Sequence, residues 1–132
     1  MSVVLDGSAC AEYLLGTALG RVVGERLRAD GDVHAPHLAQ AEVLSVLRGW
    51  TLAGELDEPR ASAAVRDLRD FPWRLWDITP LLPRVWRLRH NVTAYDAPYV
   101  ALAEALRCPL LTADARLARA VADPDRVILA GD

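Results

Sequence analysis

The sequence predicts an α/β sandwich with a central, mostly parallel sheet of about five strands. Short apolar segments suited to buried strands occupy residues 2–5, 32–35, 74–78, 109–112 and 126–129. Helical patterns separate these segments, and no internal repeat, linker or low-complexity segment interrupts their order. Strands that alternate with helices are typical of parallel sheets, because the chain has to cross over between neighbouring parallel strands.

The helices follow from caps, turn signals and apolar periodicity. Ser8 is expected to be the N-cap of the first helix. A second helix near residues 18–29 ends at the turn signal Asp-Gly, and a third begins at about His37. Further helices are predicted from Asp57, over residues 80–89, from Asp96 and after Asp114, and each of the first three has a proline in its first turn.

Composition limits the classes of function without choosing one. A chain of 132 residues suits one domain, spanning 1–132, and 52% hydrophobic content excludes a disordered chain. No charged-then-apolar leader and no apolar stretch of about 18 residues is present, so the cytoplasm is the expected location. Cys10 and Cys108 are expected to be buried free thiols. The chain has no lysine, which excludes lysine-dependent phosphate loops.

Two acidic residues lie just after the ends of predicted strands. Asp6 comes after the strand at 2–5, and Asp114 lies two residues after Thr112, the last residue of the strand at 109–112. Thr112 can offer a hydroxyl group at the same edge. The alternative interpretation is that each carboxylate only caps the helix that follows it.

Two further acidic residues lie in helical patterns. Glu42 falls between Leu38 and Val46 on the apolar arc of its helix, and a buried carboxylate needs a cation or hydrogen-bond donors. The alternative is a glutamate at the edge of the arc that turns out to solvent. Asp96 begins the most apolar helix of the chain, where N-capping is the competing role.

Together the four acids predict a metal site. The carboxyl ends of parallel strands form the ligand crevice of an open α/β sheet, so we expect Asp6, Glu42, Asp96 and Asp114 to converge there. Carboxylate oxygens are the ligands that Mg²⁺ prefers, and Mn²⁺ can substitute for it.

Four short motifs carry a resemblance to a known family. They are Val-Val-Leu-Asp6-Gly-Ser8-Ala, Ala-Glu42-Val-Leu-Ser-Val-Leu, Thr93-Ala-Tyr-Asp96-Ala-Pro-Tyr-Val-Ala-Leu-Ala and Leu-Leu-Thr112-Ala-Asp114. In this order and spacing, between residue 3 and about 119, the chain resembles PIN-domain ribonucleases of the VapC toxin type, which belong to type II toxin–antitoxin systems.

The resemblance implies a PIN-like three-layer α/β/α sandwich and a Mg²⁺- or Mn²⁺-dependent endoribonuclease. The family's acids correspond to Asp6, Glu42, Asp96 and Asp114, and its small hydroxyl residues correspond to Ser8 and Thr112. It also implies a homodimer, a cognate antitoxin that covers the site, and products with a 5′-phosphate and a 3′-hydroxyl. Two departures stand out: Pro98 replaces a larger apolar residue, and Arg116 stands where some relatives carry a further acid, which bears on a second metal.

The acids suggest hydrolysis by in-line attack of an activated water on an RNA phosphodiester. In this mechanism Asp6, Asp96 and Asp114 are the principal ligands, and Glu42 completes the site or orients the nucleophile. One alternative is an inert PIN-like module that only binds a partner. A second is another metal-dependent phosphohydrolase, such as a haloacid-dehalogenase-like phosphatase, although the chain has no second Asp two residues after Asp6.

Local charge, rather than the net charge of −3, decides where RNA binds. Arg84, Arg87 and Arg89 precede the Asp96 helix and are the candidates for RNA contacts. Arg116 and Arg119 follow Asp114 and could flank the acids from the other side. The tryptophans are expected to pack in the core or at an interface, whereas Tyr95 and Tyr99 are the better candidates for stacking on bases.

Overall fold

The computed structural model describes residues 2–131, and within them five strands alternate with seven α-helices. The strands are β1 (Ser2–Leu5), β2 (Asp32–Pro36), β3 (Arg74–Trp76), β4 (Leu110–Thr112) and β5 (Val127–Leu129). The helices are α1 (Gly7–Leu15), α2 (Ala18–Asp30), α3 (Leu38–Leu52), α4 (Glu58–Arg69), α5 (Leu82–Arg87), α6 (Ala97–Leu106) and α7 (Ala115–Ala120). Short 3₁₀ turns at Thr79–Leu81 and Pro124–Arg126 precede α5 and β5.

The strands form one parallel sheet in the order β3-β2-β1-β4-β5. Strand β1 lies at its centre, with Val4 opposite His34 of β2 and opposite Leu110 of β4. The predicted α/β sandwich is confirmed, and every strand pair is parallel. The third, fourth and fifth strands are shorter than the predicted 74–78, 109–112 and 126–129, and the second is one residue longer than the predicted 32–35.

Helices cover both faces of the sheet, so the central strand is apolar on both sides. Val4 points to one face, where it packs in a cluster formed chiefly by α6, with contributions from α7 and the segment before α6. Val3 and Leu5 point to the other face, which α1 to α4 cover. This alternation of side chains across β1 produces the three layers of the sandwich.

Helix α6 is the buried helix that its composition predicts. Its first seven residues are all buried, and Pro98 lies in the first turn, where its missing N–H is tolerated. It is also short. Within the described residues, no helix combines the length and the apolar character needed to cross a membrane.

The structure corrects three local predictions. Ser8 is not the N-cap of α1, because the side chain of Asp6 takes that position and accepts a hydrogen bond from the N–H of Ala9. The helix predicted over 80–89 is a 3₁₀ turn followed by α5, because Pro83 has no N–H to donate to the carbonyl of Thr79. Both cysteines are free thiols, but only Cys10 is fully buried, whereas Cys108 is partly exposed.

The central position of β1 gives a prediction for stability. Leu5→Ala should lower the free energy of unfolding by about 2–5 kcal/mol, because Leu5 is completely buried and its removal leaves a cavity. Leu52→Ala makes the same chemical change at a side chain that is 70% exposed, and it should change stability by less than about 0.5 kcal/mol. Urea unfolding followed by circular dichroism measures both. Equal losses in the two variants would contradict this packing.

Candidate active site at the carboxyl edge of the sheet

The strands that follow β1 in the sequence lie on both sides of it in the sheet. From β1 the chain passes to β2 on one side, and it later returns through β4 on the other side. Such a switch point opens a crevice at the carboxyl ends of the two strands. Asp6 follows β1 there, and its N–H donates to the carbonyl of Leu111 in β4 at 3.2 Å. Thr112 ends β4, and Asp114 lies two residues further along.

Asp6 lies at the bottom of this crevice and is held by donors from both strand ends. Its Oδ1 accepts from the Ser8 hydroxyl at 2.8 Å and from the Ala9 N–H at 2.9 Å. Its Oδ2 accepts a short hydrogen bond from the Thr112 hydroxyl. The N–H of Ala113 donates to the Ser8 oxygen at 3.2 Å, so Ser8 links the start of α1 to the end of β4.

Burial dominates the electrostatics of Asp6. Its side chain is only 4% exposed, and the loss of hydration raises the pKa of its carboxyl group above the ordinary value. Hydrogen bonds from Thr112, Ala9 and Ser8 lower the pKa and so oppose this effect, while the nearby charge of Asp114 raises it further. The hydrogen bonds therefore offset part of the cost of ionising Asp6, and its pKa remains raised on balance.

Glu42 enters the site from α3. The hydroxyl of Tyr99, in α6, donates to its Oε2 at 2.7 Å. Burial raises the pKa of Glu42 to about 7, the Tyr99 hydrogen bond opposes that rise, and the charges of Asp6 and Asp96 add to it. A Cβ atom at Gly7 would lie 2.7 Å from the Cβ of Glu42, so the glycine lets α1 and α3 approach closely here.

Asp96 and Asp114 lie nearer the surface, at the first turns of α6 and α7. Asp96 makes no capping hydrogen bond through its side chain. Asp114 does cap α7, because its Oδ1 accepts from the N–H groups of Arg116 at 2.9 Å and Leu117 at 3.3 Å. The Arg116 guanidinium lies 3.3 Å from Oδ2 of Asp96 and 3.3 Å from Oδ2 of Asp114.

N-capping of a helix therefore accounts for only two of these four carboxylates. Asp6 and Asp114 accept hydrogen bonds from helix N–H groups, as the alternative interpretation expects. Glu42 lies inside α3, and Asp96 has no capping contact. Another requirement has to account for these two carboxylates.

The four carboxylates are chemically suited to a divalent cation, but their side chains are not oriented around a single ion. The side chains of Asp6, Asp96 and Asp114 are hard-oxygen ligands; Asp6 is buried, whereas the side chains of Asp96 and Asp114 are 16% and 32% exposed. In the described part of the chain, no three acidic, histidine or cysteine side chains are oriented to hold a metal together. Arg116 contacts two of the carboxylates instead. A cation at the crevice would relieve the repulsion that raises the pKa of Glu42.

The arginines suggested for RNA contacts divide between two clefts. Arg84 forms a two-pronged ion pair with Glu104, at 2.8 and 2.9 Å. Arg87 lines the same cleft, whose floor includes Leu110, near the amino end of β4. This pair therefore lies away from the first turn of α6 where Asp96 is located.

Arg89 lies close to the acidic crevice. It lines a smaller cleft together with Asp96 and Arg116, and its guanidinium stacks 4.5 Å from the centre of the Trp86 ring. Trp86 is 67% exposed, so it does not pack in the core, and packing at an interface stays a prediction for it.

The stacking prediction fails for one of the two tyrosines. Tyr95 is exposed beside the crevice, but Tyr99 is completely buried and cannot stack on a base. Its hydroxyl positions Glu42 instead. The sequence did contain a signal for this role. Tyr99 lies one turn after Asp96 in a largely apolar helix, and a buried hydroxyl requires a polar partner.

A parallel five-stranded sandwich with a carboxylate-lined switch point defines the class to which the protein belongs. The family model described as "PIN domain" matches residues 3–122, and the chain belongs to this family. It is a VapC-type member. Ribonuclease VapC1 of Mycobacterium tuberculosis is 42% identical over 130 residues, which cover 96% of each chain. Ribonuclease VapC12 of the same species is 38% identical, covering 89% of this chain and 90% of the relative.

The pKa of Glu42 gives a prediction for the metal-free protein. Glu42 has a pKa of about 7 in the folded state and near 4.5 in the unfolded chain. Between these two pH values the folded state keeps a proton that the unfolded chain has released. This contribution to stability is present below pH 4.5 and is lost as the pH rises through about 7. Glu42→Gln should therefore raise stability at neutral pH by about 1–2 kcal/mol, allowing for partial exposure.

Urea unfolding in EDTA at a series of pH values measures this effect. The variant should show a flatter pH dependence than the wild type, although Asp6, whose pKa is also raised, leaves a residual slope. Glu25→Gln, an exposed position on α2, serves as the control and should follow the wild-type curve. Parallel curves for wild type and Glu42→Gln would show that Glu42 does not titrate in this range.

Proposed function

We propose that the protein is a Mg²⁺- or Mn²⁺-dependent endoribonuclease and the toxin of a toxin–antitoxin pair. One observation carries the proposal. Four carboxylates, of which Glu42 and Asp96 have no capping role, lie close enough for their charges to interact, Asp114 with Asp6 and both Asp6 and Asp96 with Glu42, in a chain about two-fifths identical to a VapC ribonuclease. The reaction is hydrolysis of an RNA phosphodiester bond, which leaves a 5′-phosphate and a 3′-hydroxyl.

The proposed metal ligands are Asp6, Asp96 and Asp114, with Glu42 binding directly or through water. When bound, the divalent cation supplies charge stabilisation for the phosphoryl oxygens and lowers the pKa of water. The chain's own residues set the geometry. Because the Tyr99 hydroxyl holds one oxygen of Glu42, it fixes the direction of the other oxygen towards a water or cation.

The hydroxyl groups of Ser8 and Thr112 act in the proposal as positioning groups. They donate hydrogen bonds to both oxygens of Asp6, which lowers its pKa against the effect of burial and fixes the direction of the carboxylate. Neither hydroxyl needs to contact the substrate. Their contribution is a fixed Asp6 at the bottom of the crevice, around which the more exposed acids complete the site.

The cleft beside Asp96 supports RNA as the substrate. It has a volume of about 250 Å³, and Arg89, His90 and Thr93 contribute donors along its wall. A phosphate next to the cleaved bond would lie against Arg89, within reach of the acidic crevice. We assign Arg84 and Arg87, which line the other cleft, to more distant RNA phosphates.

The partner proposal rests on the groove between α3 and α4. Leu44, Leu52 and Val65 line this groove and are exposed apolar side chains. We propose that a cognate antitoxin covers such apolar surface, that the toxin forms a homodimer, and that both act in the cytoplasm, where their RNA targets are found.

Loss of one carboxylate tests the proposed activity. Asp96→Asn should reduce metal-dependent RNA cleavage by at least about a hundredfold, because a metal ligand is lost. The fold should remain intact or become more stable, since Asp96 caps nothing through its side chain. Cleavage of a mixed RNA pool by purified, partner-free protein with Mg²⁺, Mn²⁺ or EDTA measures the activity.

Asp67→Asn, an exposed position on α4, is the matched control and should cleave like the wild type. A folded Asp96→Asn protein that keeps full activity would contradict the assignment of the site. Wild-type protein that neither cleaves RNA nor binds Mn²⁺ would favour an inert, partner-binding PIN module.

The Arg89 cleft generates a separate prediction about RNA binding. Arg89→Ala should weaken the binding of short single-stranded RNA in EDTA and reduce the slope of log affinity against log salt by about 1, the loss of one phosphate contact. Arg66→Ala removes an exposed arginine from α4, on the opposite face of the sheet, and should leave the slope unchanged. Fluorescence anisotropy measures both. An unchanged slope in Arg89→Ala would remove this cleft from the RNA path.

A further inference from the structure

Arg116 makes an unusual pair of contacts within the acidic crevice. One guanidinium nitrogen, Nη2, lies 3.3 Å from an oxygen of Asp96 and 3.3 Å from an oxygen of Asp114. The two carboxylates belong to different helices, so Arg116 bridges the first turns of α6 and α7. In the part of the chain that the structure describes, no other basic side chain forms an ion pair with either of these carboxylates.

The bridge occupies the oxygens that a metal would need. Asp96 and Asp114 are two of the three principal ligands proposed above, and each presents its Oδ2 atom to Arg116. The other oxygen of Asp114 accepts backbone N–H groups at the start of α7. A cation that binds these two Oδ2 atoms therefore has to compete with the guanidinium for them.

We propose that Arg116 is a resident counter-cation that holds Asp96 and Asp114 in the metal-free protein and competes with the divalent metal for them. This inference rests on the proposed function, because it presupposes that these acids bind metal. It goes beyond that function by assigning to Arg116 control over metal occupancy.

The electrostatic interactions favour a bridge that forms in the metal-free protein and that a divalent cation can displace. Without any cation, the charge of Asp114 disfavours ionisation of Asp6, and the charge of Asp96 does so at Glu42. A guanidinium between two of these acids offsets part of that repulsion. The Arg116 side chain is 64% exposed and its two contacts are long, so water screens the bridge. A divalent cation carries twice the charge and can displace it.

Displacement leaves the backbone in place. Asp114 caps α7 through its other oxygen, so this helix start does not depend on the guanidinium. The arginine side chain is long and begins at the first turn of α7, beside the cleft that contains Arg89. Arg116 thus reduces metal affinity in the resting protein without being required for the fold.

The test compares two arginines on the same helix. Arg116→Gln removes the bridge, whereas Arg119→Gln removes an equal charge from an exposed position one turn further along α7. Mn²⁺ binding to chelator-stripped, full-length protein without RNA is measured by electron paramagnetic resonance of the free ion. Arg116→Gln should bind Mn²⁺ about threefold to tenfold more tightly than the wild type, and Arg119→Gln should change the affinity less than about twofold.

A second readout is independent of cleavage. Mn²⁺ should raise the unfolding midpoint of Arg116→Gln more than that of the wild type, because tighter binding to the folded state stabilises it further. Unchanged or weaker Mn²⁺ affinity in Arg116→Gln would overturn the inference, and so would equal tightening in both variants, which would indicate a general field effect. If the wild type still cleaves RNA in those cases, the proposed function survives. Absence of Mn²⁺ binding in all three proteins overturns the metal site and this inference together.

Discussion

The hydrogen bonds to Asp6 are the constraint on which the rest of the site depends. A carboxylate at the centre of a parallel sheet loses most of its hydration, and an ionised group there is costly unless donors replace the water. Ser8, Ala9 and Thr112 provide these donors, and they come from α1 and from the end of β4. The same contacts hold the two strand ends at the switch point together, so they fix the geometry of the crevice and also lower the pKa of Asp6 against the effect of burial.

The other three acids are arranged outwards from this buried anchor, and each has a different partner. Glu42 is fixed by a buried tyrosine hydroxyl, and Asp114 is fixed by the helix that it caps. The side chain of Asp96 is contacted by the exposed guanidinium of Arg116. Positioning of the carboxylate oxygens is therefore strong at Asp6 and at Asp114, which accept several hydrogen bonds each, and weak at Asp96, whose side chain has one long contact with an exposed guanidinium.

The sequence was sufficient to predict the parallel sandwich because apolar periodicity and strand burial have the same physical origin. It also placed Asp6 and Asp114 correctly after β1 and β4. It could not predict that Asp6 rather than Ser8 caps α1, because that choice depends on the side chain's contact with Thr112, more than 100 residues away. The prediction that Tyr99 stacks on RNA bases fails for the same reason. Its actual partner, Glu42, lies on another helix, and this contact is not visible in the sequence. The division of the arginines between two clefts depends on side-chain directions that a linear pattern does not contain.

The dual roles of these acids determine which substitutions are informative. Asp6 and Asp114 accept N–H groups at the starts of α1 and α7, so replacing either one removes a cap as well as a carboxylate, and a loss of activity would have two explanations. Glu42 and Asp96 carry no such structural contact with a helix end. Burial, together with the charges of Asp6 and Asp96, raises the pKa of Glu42, and no helix end depends on the side chain of Asp96. Substitutions of these two residues therefore test the proposed cation site without removing a helix cap.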